Sequence, residues 1–288
     1  PGAAGHWTDA ASAEHGDLLD VIRESCGLDD FRDVAEEARR FLSLPRAEPP
    51  YEPRLPVPTD SPEAARRLWA MSKPVPGTVG EAYLRARGIT NLRGCTALRF
   101  HPRCWYRGGE DDSCDRGRDA WPALIAAVTA HDGTIAGAHR TWLDTVSNCK
   151  APVSTPRRAM GLLLGNAVRF GRAVHVMIAG EGLETILSLR QIMPSMPMAA
   201  ALSANHLAAF GPPAGLHRLY LARDDDPAGH RAVEILAGRA RSIGIEALML
   251  ASALGDFNED LRRLGPETLR EGLRAQLAPQ DECSLADD

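Results

Sequence analysis

No apolar run in this chain approaches the roughly 20 residues that a membrane-spanning helix needs, so no membrane partner is expected. No Cys-x-x-Cys pair occurs either. The six cysteines (Cys26, Cys95, Cys104, Cys114, Cys149 and Cys283) therefore carry no zinc signature, and reduced thiols in a cytosol are the expectation. Cys95, His101, Cys104 and Cys114 lie close enough in sequence for a metal cluster to stand as the alternative. No signal peptide is visible, which points to a cytoplasmic location. The first residue is Pro1 rather than Met, so a processed chain or a piece of a longer reading frame is expected. A general positive surplus is also missing. The formal net charge of -5 argues against a surface that coats nucleic acid everywhere.

What the chain does have is an ordinary globular composition, 44% apolar and 25% charged, with length for one large domain or two modest ones. Its charge is segregated. Residues 85–172 hold 14 Lys or Arg against 7 Asp or Glu, a surplus of seven positive charges, which leaves an excess of twelve negative charges on the remainder. A basic part beside an acidic part suits a protein that grips a phosphate backbone with one and binds metal with the other. Scattered arginines solvating a surface would give the same count.

Six prolines between 45 and 60 deny helix and sheet hydrogen bonds and predict a stiff linker at 46–60, separating a small segment 1–45 from the rest. In that first segment the pattern predicts a helix from Asp17 to about Cys26. A second follows from about Asp30 to Leu42, with Phe31, Val34, Ala38, Phe41 and Leu42 on one face. Beyond the linker, Ser61-Pro62-Glu63 reads as the capped start of a helix to Met71, and 79–87 as another stopped by Gly88. Ala123–Ala130 and Ile135–Leu143 flank His131-Asp132-Gly133-Thr134 and read as a hairpin, within a mixed α+β basic subdomain at 61–170. After Gly171 the pattern alternates. Strands at 174–179, 196–202, 217–223 and 245–251 are separated by helices at 182–192, 204–210 and 228–242, over a domain at 171–265. Continuous apolar strands in βα units imply an α/β fold with a parallel sheet flanked by helices. Residues 266–288 read as a helical or flexible tail, frayed from about 275.

The chemistry lies at the strand ends. Glu181 follows one strand between two glycines, and Asp224-Asp225-Asp226-Pro227-Ala228-Gly229 follows another. Side chains alternate in an extended segment, so Asp224 and Asp226 can share one side and leave Asp225 on the other. Carboxylates gathered at one sheet edge repel unless something positive sits between them, and a hard divalent cation, Mg²⁺ or Mn²⁺, is the usual answer. Asp256 and Asn258 repeat the spacing after the next strand as candidate further ligands. A helix-starting Glu and capped acidic turns are the plain alternatives.

Together, Gly180-Glu181-Gly182, the Asp224–Gly229 run and the later Asp256-x-Asn258 resemble the TOPRIM domain shared by bacterial primases, topoisomerases and several nucleases. The flanks resemble the bacterial DNA primase type, especially primase-like proteins of plasmids and mobile elements. Residues 133–143 are similar to its glycine-arginine hairpin and Lys150-Ala151-Pro152 to its lysine segment. Residues 5–42 resemble the end of a primase zinc ribbon, with Asp9 to His15 standing where the Cys-x-x-Cys is expected; bound zinc is not supported.

The resemblance implies a Mg²⁺-dependent nucleotidyltransferase that makes short RNA primers on single-stranded DNA from ribonucleoside triphosphates. A replicative helicase is a further candidate partner. Glu181, Asp224 and Asp226 would be catalytic, and the same three with Asp256 would hold metal. Arg140 and Lys150 would grip nucleic acid, joined on charge grounds by Arg157 and Arg158. A metal-dependent nuclease and a non-catalytic nucleic-acid-binding module are the alternatives. A topoisomerase is not expected, because none of Tyr51, Tyr83, Tyr106 and Tyr220 sits in a separate cleavage domain.

Overall fold

The structure, a computed structural model, describes residues 5–8, 15–42, 61–107 and 120–285. The expected linker at 46–60 and Cys114 lie outside the described residues. The chain divides into two compact units, Pro1–Val57 and Pro58–Asp288.

In the first unit a strand β1 (His6–Thr8) pairs antiparallel with β2 (His15–Asp17), which runs into helix α1 (Leu18–Cys26). Asp17 caps that helix by accepting the Leu19 and Asp20 N–H groups, while Asp20 accepts from the Asp17 N–H. Helix α2 (Phe31–Phe41) follows. Of its expected apolar face Val34 is buried, whereas Phe31, Phe41 and Leu42 are exposed.

The second unit begins with α3 (Pro62–Met71), capped by Ser61 as its sequence predicts, and α4 (Val79–Ala86), capped by Thr78. An antiparallel sheet follows in the order β3 (Leu98–Trp105), β4 (Ala120–Thr129), β5 (Ile135–Trp142), β6 (Arg157–Gly161). The β4–β5 hairpin turns where expected, because Asp132 accepts both the Thr134 N–H and hydroxyl.

The second sheet is built from β7 (Val168–Phe170), β8 (Val176–Gly180), β9 (Met198–Ala200), β10 (Arg218–Arg223) and β11 (Glu246–Ala251). Its order is β11-β10-β8-β9-β7, parallel except for β7 at the edge. The sheet is thus mixed rather than purely parallel, and its antiparallel edge comes from residues expected in the preceding subdomain. Helices α5 (Leu183–Ile192), α6 (Ala204–Ala208), α7 (Pro227–Ser242) and α8 (Phe257–Arg274) complete the unit.

The alternation of side chains along each strand sorts the core. Met177, Ala179, Leu219 and Leu221 pack with Leu207 of α6 and with Val233 and Leu236 of α7. Ile178, Met198, Tyr220 and Ala222 pack the other way, with Ile186 and Leu189 of α5, Leu261 of α8, and Leu124 and Val128 of the antiparallel sheet. Each fully buried Leu, Ile, Val or Met among them contributes about 1.5–3 kcal/mol. One core thereby welds the two sheets together and fixes the space between them.

Two strand bounds and the tail also differ from expectation. The strand read at 174–179 begins at Val176, since Val174 is exposed, and the run at 196–202 forms strand over Met198–Ala200 alone. The tail is not frayed over its described length. Helix α8 bends at Gly265-Pro266 and continues to Arg274, and a tight turn at Pro279–Leu285 buries Leu277, Asp281 and Leu285. Asp281 anchors it by accepting from the Tyr220 hydroxyl (2.7 Å) and from Arg218 (2.8 Å).

Candidate active site

Glu181 follows the last residue of β8, and Asp224 to Asp226 follow the last residue of β10. Those two strands are hydrogen-bonded neighbours, so their ends meet at the carboxyl edge of the sheet, where open α/β sheets bind ligands. Three helices start at the same edge. Asp226 caps α7 by accepting the Gly229 N–H (2.7 Å), and Asp256 caps α8 by accepting the Glu259 N–H (2.7 Å). The capped turns and the converging carboxylates are therefore the same residues. Capping spends one oxygen of each and orients the other. Glycine is needed twice here. A Cβ on Gly182 would lie 2.8 Å from the Thr185 hydroxyl, and one on Gly229 would lie 3.1 Å from the Asp224 carbonyl.

The carboxylates line one cleft of about 750 Å³, with Glu181, Asp224, Asp226 and Asp256 on one wall. Burial pushes the Asp224 carboxyl up to about 6, with Glu181, Asp256 and Asp226 adding to the rise against a hydrogen bond from Thr185 (3.2 Å). Burial also raises Glu181, again with Asp226 contributing. These groups repel one another; among the described residues Arg157 offsets part of the charge on Glu181, and no basic side chain is in ion-pair contact with any of the four. Asp225 turns away to His230 (3.0 Å) and is exposed, as the alternation of the run predicts. Leu202 lies beside Glu181, donating its N–H to the Glu181 carbonyl at a φ of 76°, a strained conformation for a branched residue.

The facing wall is basic. A bridge to Leu143 places Lys150 after β5, and Arg157 opens β6 opposite Thr141. Between the walls sits Glu184 of α5, a residue that sequence reasoning missed. It accepts from the Tyr83 hydroxyl (2.6 Å) and pairs with Lys150 (3.6 Å) and Arg157 (3.7 Å). Burial alone would raise its carboxyl, but Lys150, Tyr83 and Arg157 outweigh burial and hold it down at about 2. In the sequence Glu184 reads as an ordinary first-turn acid; its partner Tyr83 is 101 residues away.

His139 was also missed. It lines the cleft, is buried, and its Nδ1 has no hydrogen-bond partner among the described residues. Burial, reinforced by Arg157, Arg140 and Lys150, pushes it down to about 4, so it is neutral at pH 7. Arg140 next to it points to the other face of the sheet, where its guanidinium lies 5.0 Å from the Trp142 ring, and it does not line the cleft. Arg158 lines the cleft, but its guanidinium donates to the Arg107 carbonyl (2.7 Å) and stacks on Tyr106. Asn258 is likewise spent on the protein. It is buried, accepts from Arg87 and donates to the Arg87 carbonyl and the Ser188 hydroxyl, so it ties α8 to α4 and α5 rather than acting as a free ligand.

The donor set suits a hard cation: four carboxylates, like charges that repel one another, and oxygens left over from capping. As they stand, no three His, Cys, Asp or Glu side chains among the described residues are close enough to share one ion. Occupancy would require side-chain rotation to draw the wall together.

Residues 176–267 match the model of the Toprim domain. The chain is a Toprim domain protein. Residues 59–170, ahead of the Toprim domain, match a domain of unknown function (DUF7146). No curated protein matches the chain. Among solved structures it is similar to a DNA primase domain from Pseudomonas aeruginosa, at 16% identity and a TM-score of 0.51, over 77% of this chain and 80% of that one. It is similar to the Aquifex aeolicus primase with its zinc-binding and RNA polymerase domains, at 14% identity and a TM-score of 0.47, over 95% of this chain and 73% of that one. At these identities the likeness is one of fold. The acidic wall belongs to the Toprim domain and the basic wall to the region before it. No helix among the described residues is long and apolar enough to cross a membrane.

Proposed function

We propose that this Toprim domain protein is a primase-like nucleotidyltransferase that joins ribonucleotides on single-stranded DNA. The observation that carries the reading is the cleft itself, with a wall of mutually repelling carboxylates of the Toprim domain facing Lys150 and Arg157. A polynucleotide reaction needs both: a seat for divalent ions and a grip for phosphates. The fold likeness to a DNA primase domain narrows the choice among Toprim reactions.

The reaction forms a bond from a 3′ hydroxyl oxygen to the α-phosphorus and releases pyrophosphate. Glu181, Asp224 and Asp226, with Asp256 beside them, would hold Mg²⁺ or Mn²⁺. The ion would lower the pKa of the attacking hydroxyl and neutralise phosphate charge. Glu181, raised by burial, would accept the hydroxyl proton when it is not itself a ligand. Lys150 and Arg157 hold phosphate oxygens and exchange their contact with Glu184 for substrate. His139, neutral and unpartnered at Nδ1, supplies a polar contact that adds no charge to the basic wall.

Single-stranded template, four ribonucleotides and Mg²⁺ should yield short labelled oligomers, abolished by Asp226→Ala. No product across templates and metals would overturn the reading. Nucleotide-independent degradation of labelled DNA, lost in the same variant, would replace it with a nuclease.

A further inference from the structure

A second cavity, of about 900 Å³, lies at the opposite end of the five-stranded sheet, near the start of β8 and β9. It shares no lining residue with the candidate active site. Apolar residues, Met177 and Met198 among them, line it beside two cations, Arg169 and Arg172, and the imidazole of His131. Asp132 also lines it, ionised, its carboxylate accepting from the Thr134 N–H and hydroxyl.

Arg169 is the informative residue. Strand β7 buries Val168 and Phe170 in the core and turns Arg169 the other way. Its guanidinium packs over Phe210 at 5.1 Å, which holds it in place. Its Nε and Nη2 are shielded from solvent and have no hydrogen-bond partner among the described residues. No acidic side chain pairs with it. Natural structures rarely leave shielded donors of this kind unpaired. Arg172 adds to the positive potential around the same cavity, whereas His131, lowered by burial and by Arg169, is neutral.

We propose that this cavity binds a small phosphate-bearing molecule of mononucleotide size, with its phosphate on Arg169 and Arg172 and its remainder against the apolar part of the lining. The guanidinium groups of Arg169 and Arg172 outweigh the single carboxylate of Asp132, and guanidinium groups suit phosphate oxygens. The volume falls in the range of small-molecule sites, and a few basic groups among apolar side chains is their usual makeup.

The test is calorimetric titration of the full chain with AMP and with inorganic phosphate, in EDTA so that no divalent ion occupies the other cleft. AMP should bind, and Arg169→Met and Arg172→Met should each weaken it at least tenfold, while Arg157→Gln leaves it unchanged. AMP binding tighter than inorganic phosphate supports a nucleotide; equal affinity supports a site that recognises the phosphate alone. Arg169→Met loses no hydrogen-bond partner and should melt at or above the wild-type temperature. Arg172 is exposed, so its variant keeps the test valid whatever Arg169→Met does to folding. Absence of binding by either probe at millimolar concentration would overturn the proposal. So would binding that survives both arginine variants, binding lost in Arg157→Gln, or binding of a single-stranded oligonucleotide alone.

Discussion

Replacing Asp224 with Asn should stabilise the protein when no divalent ion is present. Folding raises the Asp224 carboxyl from 3.8 to about 6, because the ionised form is buried among Glu181, Asp256 and Asp226. A shift of that size corresponds to about 3 kcal/mol against the folded state at pH 7 and above. Partial solvent access at the cleft reduces this to about 1–2 kcal/mol. Asn removes the charge and still accepts from Thr185. In EDTA at pH 8, Asp224→Asn should melt roughly 2–8 °C above wild type. The sign of the pH dependence follows from the raised value. Native Asp224 binds more protons than unfolded Asp224 between about 3.8 and 6, so its penalty grows as pH rises through that window. The gap between variant and wild type should close as pH falls from 6 toward 4. Mg²⁺ should reverse the order by stabilising wild type more than the variant. A variant that melts at or below wild type in EDTA at pH 8 refutes the reasoning.

Glu184→Gln removes the anion shared by Lys150 and Arg157 and should cost about 1–3 kcal/mol by chemical denaturation. Because the Glu184 carboxyl is held at about 2, that cost should be full above pH 4.5 and fade as pH falls toward 2; a pH-independent cost would remove the ionic explanation. Tyr220→Phe deletes a donor to buried Asp281 and should cost about 1–3 kcal/mol, with earlier proteolysis after Arg274; unchanged protection would show that the hydroxyl does not dock the C-terminal turn. Lys150→Gln and Arg157→Gln should each lower the salt slope of single-stranded DNA binding by about one. Arg140→Gln should leave the slope unchanged, and an equal loss there would place the strand on the other face of the β5 sheet.

The alternation of strand and helix after Gly171 is legible because parallel strands covered on both faces read as unbroken apolar runs. The same property hides their ends, so Val174 reads as strand while it is exposed ahead of β8. Glu181 and Asp224 stand out because each directly follows such a run. The choice between His139 and Arg140 is not legible. Both faces of β5 are buried, so alternation carries no mark of which side meets the cleft. The pairing of Glu184 with Tyr83 depends on two helices meeting across a long stretch of chain, and no local pattern announces it. Asn258 follows Asp256 at the right spacing, but by then the chain is already helical, which turns its side chain into the packing between helices. The C-terminal turn looks like a tail because one of its anchors, Asp281, is polar and its apolar anchors, Leu277 and Leu285, stand too far apart to make a periodic pattern.

The central claim is that the carboxylate wall is a seat for divalent ions. Electron paramagnetic resonance of Mn²⁺ titrated into the full chain tests it most directly. The account predicts that bound Mn²⁺ is detected in wild type, that Mg²⁺ displaces it, and that it is lost in both Glu181→Gln and Asp224→Asn while both variants remain folded. Mn²⁺ binding undiminished in both variants, or none in wild type, would contradict it.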